Sequence, residues 1–366
     1  MKKLFLLLLL CPLLSSCNLI TMERQIYPIC LSIDATDDGK FQLALQAPRA
    51  SGSDDATYDI ISATGDTLAD ALRVLSSSTP YPLNFSQIRL CLIGYRLAAT
   101  TPLRPLLRTV MELPTMRPTA YVSIALGTGL DVLQNQQPDF GNRLSTHLNL
   151  LFDRLQQEHL LPDSSLSYCV RELSDDRCDL LIGLCAVNQQ LVPEEQKTKK
   201  EGSSQSGGGG GGGGGGESGG GSSPAFALGE PWSDELLPPN VLAGMISHTS
   251  PNPVEYLGSA AVSEGRVSGV LTADETQLCL RLLSEADIRV ARSGESLQLQ
   301  IILREENDLV DDQARIYDLM AKLQTLDSDP LLFGGVCAMG FATNAEWEQY
   351  GYRGRYRGAE VVVGVE

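Results

Sequence analysis

Histidine, tryptophan and lysine are scarce in this chain of 366 residues, which contains three, two and seven of them. Histidine is the side chain most used for proton transfer and metal ligation near neutral pH. Here His147, His159 and His248 form no ligand-spaced cluster. The nine cysteines include no C-x-x-C pair, so no thiolate metal site is expected. There is no H-E-x-x-H, and no serine elbow between a strand and a helix. Positive charge is short as well: 28 Lys and Arg stand against 45 Asp and Glu, a net charge of −17. That balance argues against binding nucleic acid through its phosphates. Of the basic residues 21 are arginine, a bias towards forked hydrogen bonding. Carboxylates are plentiful, yet no pair has an evident reason to differ in pKa. Asp175-Asp176 and Asp311-Asp312 read as solvated charges in a loop and at a helix start. No catalytic residue, cofactor or metal is expected.

A long apolar run is missing too. Leu4 to Leu10, with Pro12, Leu13 and Leu14, falls short of the roughly 20 residues a bilayer-spanning helix needs. Preceded by Lys2 and Lys3 and followed by small residues, it reads as a signal peptide, residues 1–16. Leu14-Ser15-Ser16-Cys17 resembles a bacterial lipobox, which implies a diacylglyceryl group on the Cys17 sulfur and a mature chain that begins there. Two or three acyl chains of palmitate length, at about 0.8 kcal/mol per buried methylene, anchor a protein stably where one chain does not. Without Lys2 and Lys3 the net charge moves from −17 to −19.

Removing Cys11 with the signal and Cys17 with the lipid leaves seven cysteines, an odd number. Cys91 and Cys185 lie in apolar, strand-like runs, where a free thiol behaves as a small hydrophobe. Buried thiols are expected rather than disulfides.

The N-terminal domain is placed at 17–190. Within it, two alternating runs joined by Asp38-Gly39 make a hairpin between Gln25 and Gln46. A helix is expected from Ser62 to Ser77, capped by Asp66 or Thr67, with Leu68, Ala71, Leu72 and Leu75 on one face. Strands follow at Ile88 to Gly94, Tyr121 to Leu126 and Leu180 to Val187, the last of this half. Helices are expected at Pro102 to Leu113 and Leu144 to Leu161. Gly127-Thr128-Gly129 turns a strand into a helix, but the third glycine of a dinucleotide fingerprint would fall at Val132. His147 and His159 read as boundary residues of their helix.

At 191–240 the composition changes to a linker containing ten consecutive glycines, Gly207 to Gly216. About 30 such residues span roughly 30 Å as a flexible chain. No Gly-Lys-Ser/Thr follows, so this is no phosphate loop. Residues 241–291 form a hairpin-helix segment, with a hairpin at Leu257 to Leu271 and a helix at Ala273 to Ser284. A short C-terminal domain, 292–366, holds a strand at Leu297 to Leu303, a helix near Asp312 to Leu326 and a final strand at Glu360 to Val365. The fold class is α+β: successive α/β modules with mixed or antiparallel sheets flanked by helices, the last shortened.

Several stretches together resemble the Ger(x)C family, the lipoprotein subunit of spore nutrient-germinant receptors. They are Glu23 to Asp34, Thr67 to Arg73, Phe85 to Gly94, Val122 to Leu133, Leu257-Gly258 with Ala260-Ala261-Val262, Val267 to Leu271 with Glu275-Thr276, Asp329 to Gly334, Trp347, and Glu360 to Val365. Asn18-Leu19 stand where the family has Trp-Asp, and Gln87 replaces a histidine. The resemblance implies a non-catalytic subunit, anchored through Cys17 on the outer face of the cytoplasmic (inner spore) membrane and assembled with two integral-membrane receptor subunits. The alternatives are a ligand-binding lipoprotein of a transporter, and a lipoprotein hydrolase using Ser145-His147 or Ser247-His248.

Overall fold

The computed structural model describes residues 24–49, 58–138, 143–187, 252–256, 258–293 and 296–366. The signal segment 1–16, Cys17, the linker 191–240, Ser247-His248 and Leu257 lie outside the described residues.

The expected hairpin forms from β1 (Cys30–Ala35) and β2 (Phe41–Pro48), antiparallel with Ile33 opposite Leu43. Next comes β3 (Tyr58–Gly65), pairing with β2 along its whole length. The helix expected from Ser62 therefore begins later. Tyr58, Ile60 and Ile61 favour the pleated surface of a strand. Thr67 then caps α1 (Leu68–Ser78), its hydroxyl accepting from the Asp70 amide at 3.1 Å.

Three strands run parallel to β1: β4 (Leu90–Gly94), β5 (Tyr121–Ala125) and β6 (Leu181–Val187). Every residue in them is buried, as expected of parallel strands covered on both faces. The crossovers supply α2 (Tyr95–Thr100), α3 (Leu103–Met111), α4 (Gly129–Asn135), α5 (Leu144–Gln157) and α6 (Leu166–Glu172). α5 stops short of Leu161. The backbone turns left-handed at His159, φ 57°, and the Leu160 amide returns to the Leu155 carbonyl at 2.8 Å.

β6 is not the last strand of this sheet. β7 (Val254–Glu255) pairs with its end, and the hairpin of β8 (Ser259–Ser263) and β9 (Arg266–Leu271) adds antiparallel beside it, with Leu181 opposite Ala261. The order is β3-β2-β1-β4-β5-β6-β8-β9, one sheet built from chain on both sides of the glycine-rich stretch.

α7 (Ala273–Glu285) leaves that sheet and packs Leu278, Cys279 and Leu282 into a second core. Thr272 and Glu275 cap it reciprocally, and Lys322 pairs with Glu275 at 2.6 Å. The second sheet has the order β10 (Asp287–Ser293), β11 (Ser296–Leu303), β12 (Glu360–Val365), antiparallel then parallel. β10 spans residues 291 and 292, and α7 packs against both the hairpin and the second module, its Thr276 hydroxyl 2.8 Å from that of Ser259 in β8. Strict alternation along β11 buries Leu297, Leu299, Ile301 and Leu303 beneath α8 (Gln313–Thr325) and its neighbours. Three short helices complete this side: α9 (Phe333–Ala338), α10 (Asn344–Tyr350) and α11 (Tyr352–Tyr356). The fold is α+β, with mixed sheets flanked by helices and a smaller second module.

Leu92 in β4 has no exposed surface. Leu92→Ala is expected to lower stability by about 2–5 kcal/mol, read as a fall in the denaturant midpoint at unchanged slope.

Candidate functional site

Asp34, at the end of β1, and Asp329, just before α9, are buried. Each is surrounded by backbone amides.

The Asp34 carboxylate accepts from the Gly129 amide at 2.7 Å and the Leu130 amide at 3.1 Å, the first donors of α4. Such amides have no partner within their own helix, and they draw anions. Here the chain's own side chain fills the position. A Cβ on Gly129 would lie 2.7 Å from the Ser32 Cβ, and one on Gly94 would run into Asp34 Oδ1. The glycines after the strands thus serve the close approach of β1, β4 and α4, in keeping with the absence of a dinucleotide fingerprint. Burial pushes the Asp34 carboxyl up to about 6, while the two amides act in the opposite direction.

Asp329 Oδ2 accepts from the Gly334 amide at 2.6 Å and the Tyr352 hydroxyl at 2.8 Å, and Oδ1 from the Phe333 amide at 3.2 Å. Its own amide donates to Asp179 Oδ2 at 2.9 Å, and the Asp179 amide returns to its carbonyl at 3.2 Å. Asp179 belongs to the approach to β6, so this exchange joins the two modules. Arg353 in α11 completes it by forking onto both oxygens of Asp179, 2.6 Å from Oδ1, and by donating to the Asp327 carbonyl. Tyr356 binds the Ser328 carbonyl at 2.7 Å, and Arg357 pairs with Asp327. A Cβ on Gly334 would run into the Arg177 carbonyl, so only glycine lets the modules approach this closely. Burial raises the Asp329 carboxyl to about 7 against the pull of its three donors.

Beside this junction opens a cleft of about 610 Å³, lined among others by Arg104, Asp175, Asp176, Glu264, Trp347 and Arg353. Asp175 and Asp176 are exposed on it, as expected of loop charges, and Asp312 pairs with Arg315. Ser145 and His147 stand two apart on α5 and so do not face each other. His147 and His159 are half-buried boundary residues. The seven cysteines 30, 91, 169, 178, 185, 279 and 337 are free thiols, and burial pushes Cys91 and Cys185 up to about 12. Among the described residues no group of His, Cys, Asp and Glu is arranged for a metal, and no helix is long and apolar enough to cross a membrane. Cys17 lies outside them. Sequence reasoning passed over Asp179, Tyr352 and Arg353. The available signal was the i, i+4 pair Tyr352 and Tyr356 on either side of Arg353.

Residues 20–187 match the family model described as the spore germination protein N-terminal domain. No curated protein matches the chain. Among solved structures, one titled the crystal structure of the GerBC protein aligns over 92% of this chain and 95% of its own, at 12% identity and a TM-score of 0.45.

Two outcomes are expected of the junction. Asp179 keeps 4% of its side chain exposed, so Arg353→Ala strands a buried carboxylate. The expected loss is about 3–5 kcal/mol in equilibrium unfolding. Asp34 and Asp329 hold their protons more tightly in the folded chain than at the ordinary value of 3.8. Their contribution is therefore complete at acid pH and is lost as pH rises from about 4 through about 7, at up to about 1.4 kcal/mol per pH unit for one group. Denaturation across a pH series checks this, and Asp329→Asn is expected to flatten the upper part of the slope.

Proposed function

We propose that the chain is a Ger(x)C-type spore germination protein and the non-catalytic lipoprotein subunit of a nutrient-germinant receptor, a reading supported by the match of residues 20–187 to the spore germination protein N-terminal domain. It is tethered by a diacylglyceryl group on Cys17 to the outer face of the inner spore membrane and assembles there with two integral-membrane subunits. The family domain carries this reading. The chemistry of the two buried aspartates supports it: Asp34 closes a helix N-terminus, and Asp329 and Asp179 tie modules together. Each carboxylate is taken up in holding backbone in place, and neither is poised against a base or nucleophile.

The cleft of about 610 Å³ between the modules is the one feature that favours a ligand-binding lipoprotein of a transporter. Such proteins close two lobes about a hinge. In this chain the forked Arg353–Asp179 pair and the paired amides of Asp179 and Asp329 cross the junction beside the cleft, which opposes that motion.

Purification from native spore membranes is expected to bring down two multi-spanning proteins with this chain. Cys17→Ala is expected to move it to the soluble fraction and to impair the germination response. Membrane retention of Cys17→Ala would refute the anchor, and isolation without membrane partners would refute the receptor.

A further inference from the structure

The charge of this chain is unevenly placed. From Ala71 to Leu130 it has six arginines and a single carboxylate, Glu112, which Arg108 holds. Arg73 and Arg96 also have carboxylate partners, Asp70 and Asp37. Arg89 and Arg117 have none among the described residues. Arg89 donates through Nη2 to Gln87 at 3.3 Å, while its buried Nε and Nη1 meet no acceptor. Arg117 donates to the Thr119 hydroxyl at 2.7 Å.

These two arginines stand at one end of the sheet. Arg89 directly precedes β4 and Arg117 precedes β5 by four residues, and both strands run parallel to β1. The first described residue, exposed Arg24, comes in at the same end. Ile26 donates to the Pro82 carbonyl at 3.0 Å, the Asn84 amide returns to Ile26, and Thr115 donates to Asn84 Oδ1 at 3.0 Å. The start of the chain, the loop before β4 and the loop before β5 are thereby laced into one surface. On it Tyr81 is 46% exposed, held between Pro80 and Pro82. Two carboxylates beside it are engaged: Asp59 pairs with Arg49, and Asp163 accepts from the Ser165 amide.

We propose that this surface, carrying Arg24, Tyr81, Arg89 and Arg117, rests on the anionic phospholipid headgroups of the bilayer in which the chain is anchored. The inference rests on the Cys17 anchor. Cys17 is seven residues from Arg24, so the tether reaches no more than about 25 Å and keeps this end of the fold against the lipid. A tyrosine presented from a stiff loop suits the headgroup level. Arginines near an anionic surface are drawn to it, and their guanidinium groups suit phosphate oxygens. Tyrosine and arginine suit protein interfaces as well as lipid, and the short tether is what favours lipid here. The tether makes even weak contact sufficient, because it fixes a high local concentration of lipid.

The test uses the full lipidated chain in vesicles of phosphatidylglycerol and phosphatidylcholine, with a fluorophore at Tyr81→Cys or, as control, at the exposed Met339→Cys. Quencher-bearing lipids are expected to quench the probe at 81 and spare that at 339. Arg89→Gln and Arg117→Gln are each expected to weaken the contact about fivefold, and pure phosphatidylcholine to abolish it. Anchored protein whose probe at 81 stays unquenched overturns the proposal and leaves the anchor standing, whereas protein that fails to float with vesicles at all defeats the anchor reading. Shielding of position 81 only when membrane subunits are co-expressed would make this a protein interface. Displacement by inorganic phosphate at constant ionic strength would make Arg89 a free-anion site. Either result overturns the proposal.

Discussion

The fork of Arg353 onto Asp179, with Asp329 behind it, is the constraint on which the two-module arrangement depends. A carboxylate removed from water is costly unless an opposite charge and several donors surround it. Asp179 and Asp329 meet that requirement only when residues 177–179 and residues 327–357, with Asp179 and Asp329 150 residues apart in the chain, are brought together. The network is therefore indifferent to anything but the native approach of the modules. Close packing reinforces it: the Gly334 backbone against the Arg177 carbonyl leaves no room for a side chain, and Trp347 stacks on Tyr352 at 5.3 Å between centroids.

A second economy of the fold is that its anion-attracting positions are occupied from within. The turn after β5 has the glycines and the free amides that other proteins offer to a phosphate, and Asp34 supplies the negative charge instead.

Much of the architecture was legible because it depends on local chemistry. The Asp38-Gly39 turn, the buried runs of β4, β5 and β6, and the alternation of β11 each follow a simple period. β3 was misread because Ser62, Ala63 and Thr64 suit a helix as readily as a strand, and pairing with β2 decides the matter. α9 to α11 are too short to display a helical period. The junction was hidden for another reason: charge in a sequence reads as surface, and nothing local indicates that Asp329 and Asp179, 150 residues apart, share a hydrogen bond. The resemblance did mark the segment Asp329 to Gly334, without giving the reason for it.

The pairing of β6 with β8 places neighbours in one sheet on either side of residues 188–258. Closing so long an excursion costs little more than closing half of it, because the entropic cost grows only as the logarithm of length. Timing is affected more than stability. As the polypeptide is made from its N-terminal side, the β6 backbone waits with an open rim until β8 follows, and the Arg353 fork onto Asp179 cannot form until α11 has followed as well. Completion of the junction is thus a late event in the life of the chain, although the first sheet begins to pair early.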